Sequence, residues 1–591
     1  MSEEKQKLLA LRHTAEHVLH CALQTIYPSM KKAMGPATED GYYHDFDSDE
    51  KVTDNDFPKI EKEMKKIIDL NLPMIQEFID EKTAREIFKN NLYKLDWIDQ
   101  IVSRKEKISI YKMGNIDCDL CSGPHVASTG KIKAFKLLKV AGAYWHGDEK
   151  NKMLTRIYGT CFPTEEELDR YLWQLEEAKK RDHRKLGQEL DLFTFSNLVG
   201  SGLPLWTQKG TLVRKLLNDF VEDIQYKQGY SQVWTPQITK AYLFKTSGHY
   251  DKYKENLFMV KSNYSDEEFF LKPMNCPQHT QIYASHPRSY RDLPIRMTDF
   301  AMLYRDEKPG ELNGLARVRS FSQDDCHIFC REDQVDEEVD RALTMTKQIM
   351  SVFDFQYRYR LSTRDLNHPE KFIGDPKIWN KVEAWAVKIM KRNKIDYIDG
   401  PGEAAFYAPK MDLLATDSLG REWQLSTVQI DYFMPEKFNL TYIDRDGKEQ
   451  RPVMIHRAII GSAERMIMVL LEHFAGKLPL WLAPVQIIII PISDRHTEYG
   501  KKLYDILFKN NIRVGLDDRH ESMQAKIRDA TLQKVPYMGI IGDKETKNSE
   551  LRTDNLNDKF ISIRTREGKD LGQIELKKFI ENLKSEIEKK Q

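Results

Sequence analysis

The chain has 591 residues, which at about 150 residues per domain corresponds to roughly four domains and excludes a single small module. Charged residues make up 31% of the chain and hydrophobic residues 40%, so the composition excludes a disordered or collagen-like chain. Lys and Arg together number 91, as do Asp and Glu, so no net positive charge indicates a polyanionic partner. A nucleic-acid surface would therefore be a local patch.

Cysteine usage and the lack of long apolar segments indicate the compartment. The seven cysteines are scattered along the chain and are too few for the disulfide framework of a secreted protein. The first residues, MSEEKQKLLALRH, lack the basic and apolar regions of a signal peptide, and the apolar segment 485–492 is too short to span a bilayer. We therefore expect a cytoplasmic protein with no membrane partner.

The N-terminal quarter of the chain predicts a compact α+β domain. Apolar residues at helical spacing predict a helix over 5–27, and a strongly charged helix is expected near 55–70. Residues 106–145 mix short strands with Gly and Pro. We therefore place an α+β domain at 1–163 and, after it, a charged linker helix with one narrow apolar stripe at 164–190.

The rest of the chain predicts two further domains. Helices alternate with long β-rich runs up to about residue 478, which favours one large mixed sheet in a domain over 191–480. Next, VQIIIIPIS, a helix, IRVGLDD, another helix and VPYMGIIG follow one another at short spacing. This β-α-β-α-β order predicts a parallel α/β domain over 481–591.

The segment 302–330, MLYRDEKPGELNGLARVRSFSQDDCHIFC, contains the densest set of chemical groups. Two runs of alternating apolar residues flank a Gly/Pro loop, so they predict antiparallel strands joined by a turn. A period of two places Arg305 and Glu307 on one face of the first strand. On the second strand one face collects Arg317, Arg319, Phe321, Gln323, Asp325 and His327.

Such a polar row has two interpretations. A salt-bridged exterior would also be rich in Arg and Asp. However, guanidinium groups for phosphates, a phenyl ring for a base and further polar groups for a small second substrate suit the binding of a nucleoside triphosphate.

Several strings carry a family resemblance. RDE and RVRSF resemble motif 2 of the class II aminoacyl-tRNA synthetases, IIGSAERMIMVLL at 459–471 resembles motif 3, and VWTPQI with Pro236 resembles motif 1. The strings LKPMNCPQH, QDDCHIF, EAAFYAPK and PVMIHRAIIGS narrow the match to the threonyl-tRNA synthetase family, over essentially the whole chain. The resemblance implies an N-terminal editing domain, a class II catalytic domain with an antiparallel sheet and a C-terminal anticodon-binding domain, assembled as a homodimer.

The resemblance also implies an activity and its partners. It predicts ATP-dependent ligation of L-threonine to tRNA(Thr) through threonyl-adenylate, with hydrolytic editing of seryl-tRNA(Thr), and no DNA partner. Because His13 already belongs to the editing domain, we expect the family's small ubiquitin-like N-terminal domain to be missing. A free-standing hydrolase of mischarged tRNA would leave the arginines of motifs 2 and 3 unused, and a non-catalytic paralogue would typically lack one of them or a zinc ligand.

The ATP site is implied by motifs 2 and 3. Arg305 is expected at the α-phosphate, Glu307 at the adenine amino group and Phe321 against the adenine ring. The resemblance puts Arg317 and Arg465 near the terminal phosphates, adds Gln424 to the ATP-binding residues and implies Mg²⁺ with the ATP. Arg305 and Arg465 are thus predicted to be catalytic, together with His249, which matches the histidine proposed to assist transfer to the terminal ribose. A surface histidine is the alternative for residue 249.

Spacing alone gives no metal signal for Cys276, His327 and His456, each of which would more often be a buried core residue. The resemblance aligns them with the family's zinc ligands and implies one Zn²⁺ per chain with an open fourth position. Threonine and valine are nearly isosteric, so a site that engages the hydroxyl separates them far better than an apolar pocket does. The residues expected around the threonine are Gln323, Asp325, Tyr407, Lys410 and Gln429.

Serine retains the hydroxyl and lacks one methyl group, a difference of about 1–3 kcal/mol, so a second, hydrolytic site is expected. HTAEH and CSGPH provide three imidazoles and a thiol, and their spacing fits a zinc site or a metal-free site equally well. The resemblance favours the metal-free alternative. The editing residues that it implies are His13, His17, Tyr43, Lys94, Asp119, Cys121 and His125.

In the C-terminal domain, KIRDATLQKVPYMGIIGDKE and FISIRTREGKDLG resemble the anticodon-binding module. Single-stranded bases are recognised through their edges, and cationic groups hold the phosphates. We predict that Arg528, Glu545 and Arg564 contact the anticodon, with ordinary exposed charges as the alternative for each of them.

Overall fold

The computed structural model describes residues 3–547 and 559–590 and divides the chain into two units, 1–176 and 177–591. Within these described residues, every helix is too short or too polar to cross a membrane. All seven cysteines are free thiols. The predicted multidomain arrangement of α+β and α/β parts is confirmed. The predicted domain limits stay predictions.

The N-terminal unit contains two antiparallel sheets. Its helices are α1 (Glu3–Ile26), α2 (Phe57–Asp69), α3 (Glu81–Ile87), α4 (Leu92–Ser103) and the start of α5 (Glu165–Arg181). Its strands are β1 (Lys31–Met34), β2 (Tyr42–Asp47), β3 (Met74–Phe78), β4 (Ser109–Met113), β5 (Asp117–Leu120), β6 (Ala134–Tyr144) and β7 (Met153–Phe162). One sheet has the order β1-β2-β7-β6 and the other β3-β4-β5.

Helix α1 is the central element of this unit. Leu11, Ala15, Val18 and Leu19 recur at helical spacing and are buried against α2 and the larger sheet. The predicted helices near 5–27 and 55–70 correspond to α1 and α2. Because α1 is buried over most of its length, the polar residues between its apolar positions are also enclosed by protein.

The charged stretch at 164–190 forms two helices instead of the single predicted one. Helix α5 ends at Arg181, and α6 (His183–Glu189) follows. The Asp182 carboxylate accepts a hydrogen bond from Arg184 N and caps α6. This side-chain cap explains why the helix starts anew there.

An eight-stranded sheet forms the centre of the second unit. The helices around it are α7 (Gln208–Lys227), α8 (Ala241–Thr246), α9 (His249–Tyr253), α10 (Cys276–Ala284), α11 (Val335–Ser351), α12 (Pro376–Arg392), α13 (Phe433–Lys437) and α14 (Ala463–His473). The strands before residue 331 are β8 (Phe193–Thr194), β9 (Leu205–Trp206), β10 (Ser231–Gln232), β11 (Ile238–Lys240), β12 (Met259–Val260), β13 (Phe269–Leu271), β14 (Ile295–Asp299), β15 (Met302–Tyr304), β16 (Ser320–Ser322) and β17 (Asp325–Cys330).

The next strands are β18 (Gln356–Thr363), β19 (Tyr397–Pro401), β20 (Lys410–Thr416), β21 (Glu422–Asp431), β22 (Tyr442–Ile443), β23 (Glu449–Gln450) and β24 (Val453–Ala458). Of these, β22 and β23 pair with each other in a sheet of their own, and the others complete the eight-stranded sheet. The strand order is β10-β14-β17-β24-β21-β20-β18-β19, parallel only at β10–β14 and β18–β19. The large, mainly antiparallel sheet predicted from the sequence is thus confirmed.

The turn before α14 depends on one glycine. Gly461 has a φ of 67°, and a Cβ at this position would lie 2.7 Å from Leu425 O. The Ser462 hydroxyl then accepts a hydrogen bond from Arg465 N and caps the helix. The tight turn therefore fixes where α14 begins, and with it the position of Arg465.

The predicted continuous polar row at 317–327 is wrong. Strands β15 and β16 do form an antiparallel pair, but β15 ends before Arg305 and Glu307, and β16 begins only after Arg319. Strand β17 belongs to the eight-stranded sheet instead. Between β16 and β17 the strand is interrupted at Asp324. The Asp324 carboxylate accepts hydrogen bonds from the backbone N–H groups of residues 459 and 460.

The C-terminal part of the second unit is an α/β domain. Its elements are β25 (Ile487–Pro491), α15 (Thr497–Lys509), β26 (Val514–Leu516), α16 (Met523–Leu532), β27 (Tyr537–Ile541), α17 (Asp543–Lys547), β28 (Phe560–Thr565), β29 (Asp570–Glu575) and α18 (Leu576–Glu588). The sheet order is β26-β25-β27-β28-β29. The first three strands are parallel, as predicted, and β28 and β29 extend the sheet antiparallel.

Candidate active site

Three arginines from separate parts of the second unit face one site. Arg305 follows β15, Arg317 precedes β16 and Arg465 lies in the first turn of α14. Burial, together with the charges of Arg305 and Arg317, lowers the pKa of Arg465. Arg305 and Arg465 are partly buried and Arg317 is exposed, so three positive charges meet at a site that solvent can reach. Such a concentration of positive charge is suited to a polyphosphate.

Neighbouring groups hold these arginines in place. Arg465 donates to Ala316 O through Nε and Nη2, at 3.3 and 3.2 Å, and to Gln424 O through Nη1 at 3.3 Å. Arg317 donates to the buried Glu307 carboxylate at 2.9 Å. The backbone carbonyls therefore orient the Arg465 guanidinium without neutralising it, whereas Arg317 is paired with the carboxylates of Glu307 and Glu311.

Phe321 packs against Arg305 at the same site. The Arg305 guanidinium carbon lies 5.0 Å from the centre of the buried Phe321 ring, within cation–π range. Arg305 Nε is buried and has no hydrogen-bond partner among the described residues. A donor left in this state is available to a ligand.

A second cluster contains Cys276, His327 and His456. Cys276 opens α10, and the two histidines are directly paired across β17 and β24. One potential ligand atom from each of the three lies within 4.8 Å of the others, and all three side chains are buried. Burial raises the pKa of the Cys276 thiol well above its usual range and lowers that of His327.

Two polar partners of this cluster were not predicted from the sequence. His456 Nε2 donates to Asp431 Oδ2 at 2.8 Å, which leaves His456 Nδ1 with a free lone pair. His327 Nδ1 lies 2.7 Å from His279 Nδ1. A second hydrogen bond that orients each histidine is typical of metal-binding imidazoles. His279 follows Cys276 by three residues in α10. This helical spacing, which places the two side chains on one face, was the sequence signal that could have predicted His279 as a partner of the cluster.

Three of the side chains expected around the amino acid come from β17, from β21 and from the segment before β20. The Tyr407 hydroxyl donates to Gln429 Oε1 at 2.7 Å, and its ring centre lies 5.0 Å from that of His456. Asp325 Oδ1 lies 3.7 Å from His327 Nε2, and burial raises the pKa of Asp325. These residues surround the cluster with polar atoms.

Three other predicted residues have partners of their own. Lys410 Nζ lies 3.5 Å from Asp412 Oδ2, and Gln424 Nε2 donates to Asp412 Oδ1 at 2.9 Å. Gln323 forms an isolated bridge to Ser462. Gln424 therefore supports the ATP side through its backbone carbonyl, while its side chain faces Asp412.

His249 is buried, which contradicts the surface alternative. Its Nε2 lies 3.8 Å from Cys276 Sγ, and its Nδ1 bonds to the Ser247 hydroxyl at 2.8 Å. Burial, His456 and Arg305 together lower the pKa of His249 to about 3. The same ring is thus close to both the arginine cluster and the Cys/His/His cluster.

The N-terminal unit holds a separate cluster of His13, His17, Cys121 and His125. One potential ligand atom from each lies within 4.8 Å of the others. Cys121 Sγ is 3.2 Å from His125 Nε2 and 3.5 Å from His13 Nε2. Burial raises the pKa of Cys121 to about 12 and lowers those of His17 and His125 to about 3 and about 2. All four groups are therefore neutral near pH 7.

A cavity of about 520 Å³, here called the N-terminal cavity, adjoins this cluster and is lined among others by His13, His17, Lys94, Asp119 and Cys121. Lys94 and Asp119 form a buried ion pair at 2.8 Å. The structure does not bring Tyr43 to the residues that line the cavity. Its ring lies 3.8 Å from the Arg156 guanidinium, because side chains alternate along β2 and His44 faces the interior instead.

A charged network behind this cavity was also not predicted. His20 Nε2 donates to Asp117 Oδ2 at 2.7 Å, and His44 Nδ1 donates to Glu16 Oε1 at 2.6 Å. Lys32 Nζ donates to Asp117 Oδ1 at 2.7 Å. Burial alone would lower the pKa of His20, but Asp117 and Glu16 raise it to about 9. His20 thus lies on α1 together with three residues that line the cavity, His13, Glu16 and His17.

The three predicted anticodon residues differ in exposure. Arg528 is exposed on α16 and paired with Asp529 at 3.2 Å. Arg564 is partly buried on β28. Glu545 is buried, and its carboxylate accepts hydrogen bonds from Gly542 N and Ser562 Oγ, so both oxygens already have partners within the domain.

A mainly antiparallel sheet, a separate strand pair with arginines in the loop between its strands, and a later helix with an arginine in its first turn are the arrangement of a class II aminoacyl-tRNA synthetase. Three family models match the chain: the tRNA synthetase class II core domain (G, H, P, S and T) at 258–474, an anticodon binding domain at 486–586, and the threonyl and alanyl tRNA synthetase second additional domain at 108–158. The class inferred from motifs 1, 2 and 3 is therefore confirmed.

The chain belongs to the threonine–tRNA ligase family. The threonine–tRNA ligase of Thermotoga neapolitana is 46% identical over 579 residues, which cover 98% of this chain and 88% of that protein. The enzyme of Deinococcus radiodurans is 46% identical over 585 residues, with the same coverage. The predicted family and enzyme class are thus confirmed.

Solved structures agree with this assignment. The RNA binding domain of threonyl-tRNA synthetase from Cryptosporidium parvum superimposes with a TM-score of 0.64 at 38% identity, covering 68% of this chain and 98% of that one. A prolyl-tRNA synthetase of Giardia lamblia in complex with prolyl-adenylate has a TM-score of 0.54 at 18% identity, covering 71% and 81%. At this identity the second likeness shows the fold alone.

Proposed function

We propose that this protein ligates L-threonine to tRNA(Thr) through threonyl-adenylate and hydrolyses seryl-tRNA(Thr). The observation that carries the first part is the convergence of Arg305, Arg317 and Arg465 beside the Cys276/His327/His456 cluster. The charge of Arg305 lowers the pKa of Arg465 and also that of His249, whose Nε2 lies 3.8 Å from Cys276 Sγ. A polyphosphate site and a polar amino-acid site thus adjoin.

Adenylate formation needs positioning and charge neutralisation more than a protein nucleophile. The threonine carboxylate attacks the α-phosphorus, and pyrophosphate leaves. We assign Arg305 to the α-phosphate, where it stabilises the charge that develops, and Arg317 and Arg465 to the terminal phosphates. Phe321 stacks on the adenine, and Glu307 accepts from its amino group. Mg²⁺ supplied with the ATP would offset further phosphate charge.

The Cys/His/His cluster fits a zinc ion. A thiol and two imidazoles are the ligand types that Zn²⁺ prefers, and His456 has the second hydrogen bond to a carboxylate that accompanies such ligands. Cys276, His327 and His456 would hold the zinc, which would supply a Lewis acid for the polar groups of threonine. Asp325 is the group of this chain best suited to accept the threonine hydroxyl proton.

The remaining pocket residues select and hold the amino acid. Tyr407 and Gln429 are tied to each other, so the pair presents one fixed polar edge. Gln323 and Lys410 line the same side in our proposal. Valine would leave Asp325 without a partner, and a buried polar group left unpaired disfavours the analogue strongly.

For editing, we propose that the N-terminal cavity binds the seryl ester and a water molecule. His13, His17 and His125 are neutral, so one imidazole can accept a proton from water as the other groups orient the ester. The Lys94 ammonium can stabilise the developing oxyanion, with Asp119 holding it in place. We propose a site that works without a metal, although the four Cys and His groups are close enough to hold one.

Three further proposals complete the assignment. We propose that Arg528 and Arg564 contact the anticodon, while the Glu545 carboxylate, bonded to Gly542 N and Ser562 Oγ, connects α17 to β28 beside them. His249 would assist transfer of threonine to the terminal ribose. We also propose a cytoplasmic homodimer that has no DNA partner.

The test is threonine-dependent exchange of pyrophosphate into ATP without tRNA, followed by charging of tRNA(Thr). We expect exchange with threonine, weak exchange with serine and negligible exchange with valine. Absence of threonine-dependent exchange in zinc-loaded protein would contradict the ligase activity. The editing half is measured separately, by hydrolysis of preformed seryl-tRNA(Thr) against threonyl-tRNA(Thr).

A further inference from the structure

His183 links the start of α6 to the ATP-binding arginines. The side chain is buried in the second unit, between Glu472 near the end of α14 and the turn at residues 313–317. Neither the sequence patterns nor the proposed mechanism uses this residue. It nevertheless contacts both the turn within the motif 2 segment and the end of α14, the helix that begins in motif 3.

Two hydrogen bonds fix the imidazole in one tautomer. His183 Nδ1 lies 2.7 Å from Glu472 Oε1, and Leu315 N lies 3.0 Å from His183 Nε2. A backbone N–H can only donate, so Nε2 accepts, and Nδ1 carries the proton donated to the carboxylate. The His183 backbone N–H also donates to Glu472 Oε1 at 3.1 Å, which holds the residue from both ends.

The turn that His183 holds is closed on itself. Asn313 N donates to Arg317 O at 3.1 Å, and Ala316 N donates to Asn313 O at 2.8 Å. Gly314 has a φ of 46°, and a Cβ at this position would collide with His183 Nε2. The imidazole therefore occupies the space that the glycine leaves free.

The turn determines the positions of two phosphate-binding arginines. Ala316 O accepts two of the three hydrogen bonds that the Arg465 guanidinium donates, and Arg317 is the next residue. A shift of the turn would move Arg317 directly and Arg465 through the carbonyl. Because adenylate formation depends on the placement of charge, displacements of about 1 Å are costly.

We propose that His183 is a positioning residue for ATP: it fixes the turn 313–317 and so aligns Arg317 and Arg465 with the terminal phosphates. This inference rests on the proposed ligase function. His183 is the first residue of α6, so this helix contacts the turn that positions the nucleotide-binding arginines.

The test compares His183→Ala with the conservative His183→Gln, whose amide can both donate and accept. In threonine-dependent pyrophosphate exchange we expect His183→Ala to raise KM for ATP about tenfold, the loss typical of one orienting hydrogen bond, while KM for threonine changes less than about twofold. His183→Gln should recover a large part of the ATP affinity.

A second variant approaches the contact from the turn. Gly314→Ala retains His183 but displaces its ring, so we expect the same selective rise in KM for ATP. The matched control is His473→Ala, which removes a half-buried histidine adjacent to Glu472 that packs on Phe355. Hydrolysis of seryl-tRNA by the other unit and the thermal midpoint check the fold.

Each outcome decides the question. A parent without threonine-dependent exchange would overturn the proposed function itself. An active parent with an unchanged KM for ATP in folded His183→Ala and Gly314→Ala would overturn only the role of His183. Equal increases in KM for ATP and threonine, or the same effect in His473→Ala, would show a general structural role and also overturn it.

Discussion

Lys94 and Asp119 form a buried ion pair in the wall of the N-terminal cavity, with Lys94 Nζ 2.8 Å from Asp119 Oδ1. Burial alone would raise the pKa of Asp119, but Lys94, Lys32 and His20 lower it well below its usual range. The carboxylate is thus ionised and depends on its cationic partner. Loss of either partner should therefore affect both the stability of the N-terminal unit and the reaction proposed for the cavity.

The first prediction concerns Lys94→Met. Removing one partner leaves a buried unpaired carboxylate, which costs about 3–5 kcal/mol. We expect a lower free energy of unfolding for the N-terminal unit and loss of seryl-tRNA hydrolysis, with unchanged threonine activation. The double variant Lys94→Met/Asp119→Asn should regain stability without regaining hydrolysis.

The matched control is Lys89→Met, which breaks an exposed ion pair with Glu86 in the same unit. Surface pairs contribute about 0–1 kcal/mol, so stability and editing should hardly change. If the double variant hydrolyses seryl-tRNA as fast as the parent, the Lys94/Asp119 pair is structural and the cavity needs another catalytic group.

The sequence predicted the segments whose signal is local. The period of α1, the β-α-β order after residue 485 and the motif strings all lie within short stretches, and each was confirmed in the fold or the family. The break at Asp324 was missed because its partners, the N–H groups of Ile459 and Ile460, are distant in sequence. The alternation of side chains at residues 317–327 has no irregularity at Asp324, so a pattern based on neighbouring residues predicts one continuous strand.

Hydrogen-bond partners that are distant in sequence could also not be predicted from it. Asp431 supports His456 from another strand, and Glu472 supports His183 from another helix. Glu16 and His20 look like polar interruptions of an amphipathic helix until β2 and β5 supply His44 and Asp117. A buried network is defined by these contacts, which local patterns do not encode.

The second prediction concerns pH. Asp117 and Glu16 raise the pKa of His20 to about 9 against the effect of burial, from an ordinary value of 6.5. A raised pKa means that the folded state binds the proton more tightly than the unfolded state. The contribution is therefore complete below about pH 6.5 and is lost as the pH rises to about 9.

We expect the thermal midpoint of the N-terminal unit to fall between pH 6.5 and pH 9, and His20→Gln to flatten this dependence. The control is His146→Gln, because His146 is partly exposed and pairs with Asp96 at the surface. An unchanged pH slope in His20→Gln would show that another group titrates in this window.

The third prediction concerns Arg305→Ala. Arg305 packs on Phe321, and its Nε is a buried donor without a partner among the described residues. Its loss removes charge stabilisation in the transition state, so we expect threonine-dependent exchange to fall by about 10²–10³-fold with the fold intact. Arg358→Ala, which breaks an ion pair with Glu422 on the same sheet, is the control. Equal exchange rates for Arg305→Ala and the parent would contradict the assignment of motif 2.

The fourth prediction concerns the metal. We expect elemental analysis to find about one zinc per chain, because a buried thiol and two oriented imidazoles form one set of three ligands. Cys276→Ser should lose both the zinc and threonine activation, since a hydroxyl is a much weaker zinc ligand than a thiolate. Cys330→Ser is the matched control, a buried cysteine on β17 outside the cluster, and should retain both. Zinc that stays in Cys276→Ser but disappears in Cys121→Ala would move the metal to the N-terminal cluster and contradict a metal-free editing site.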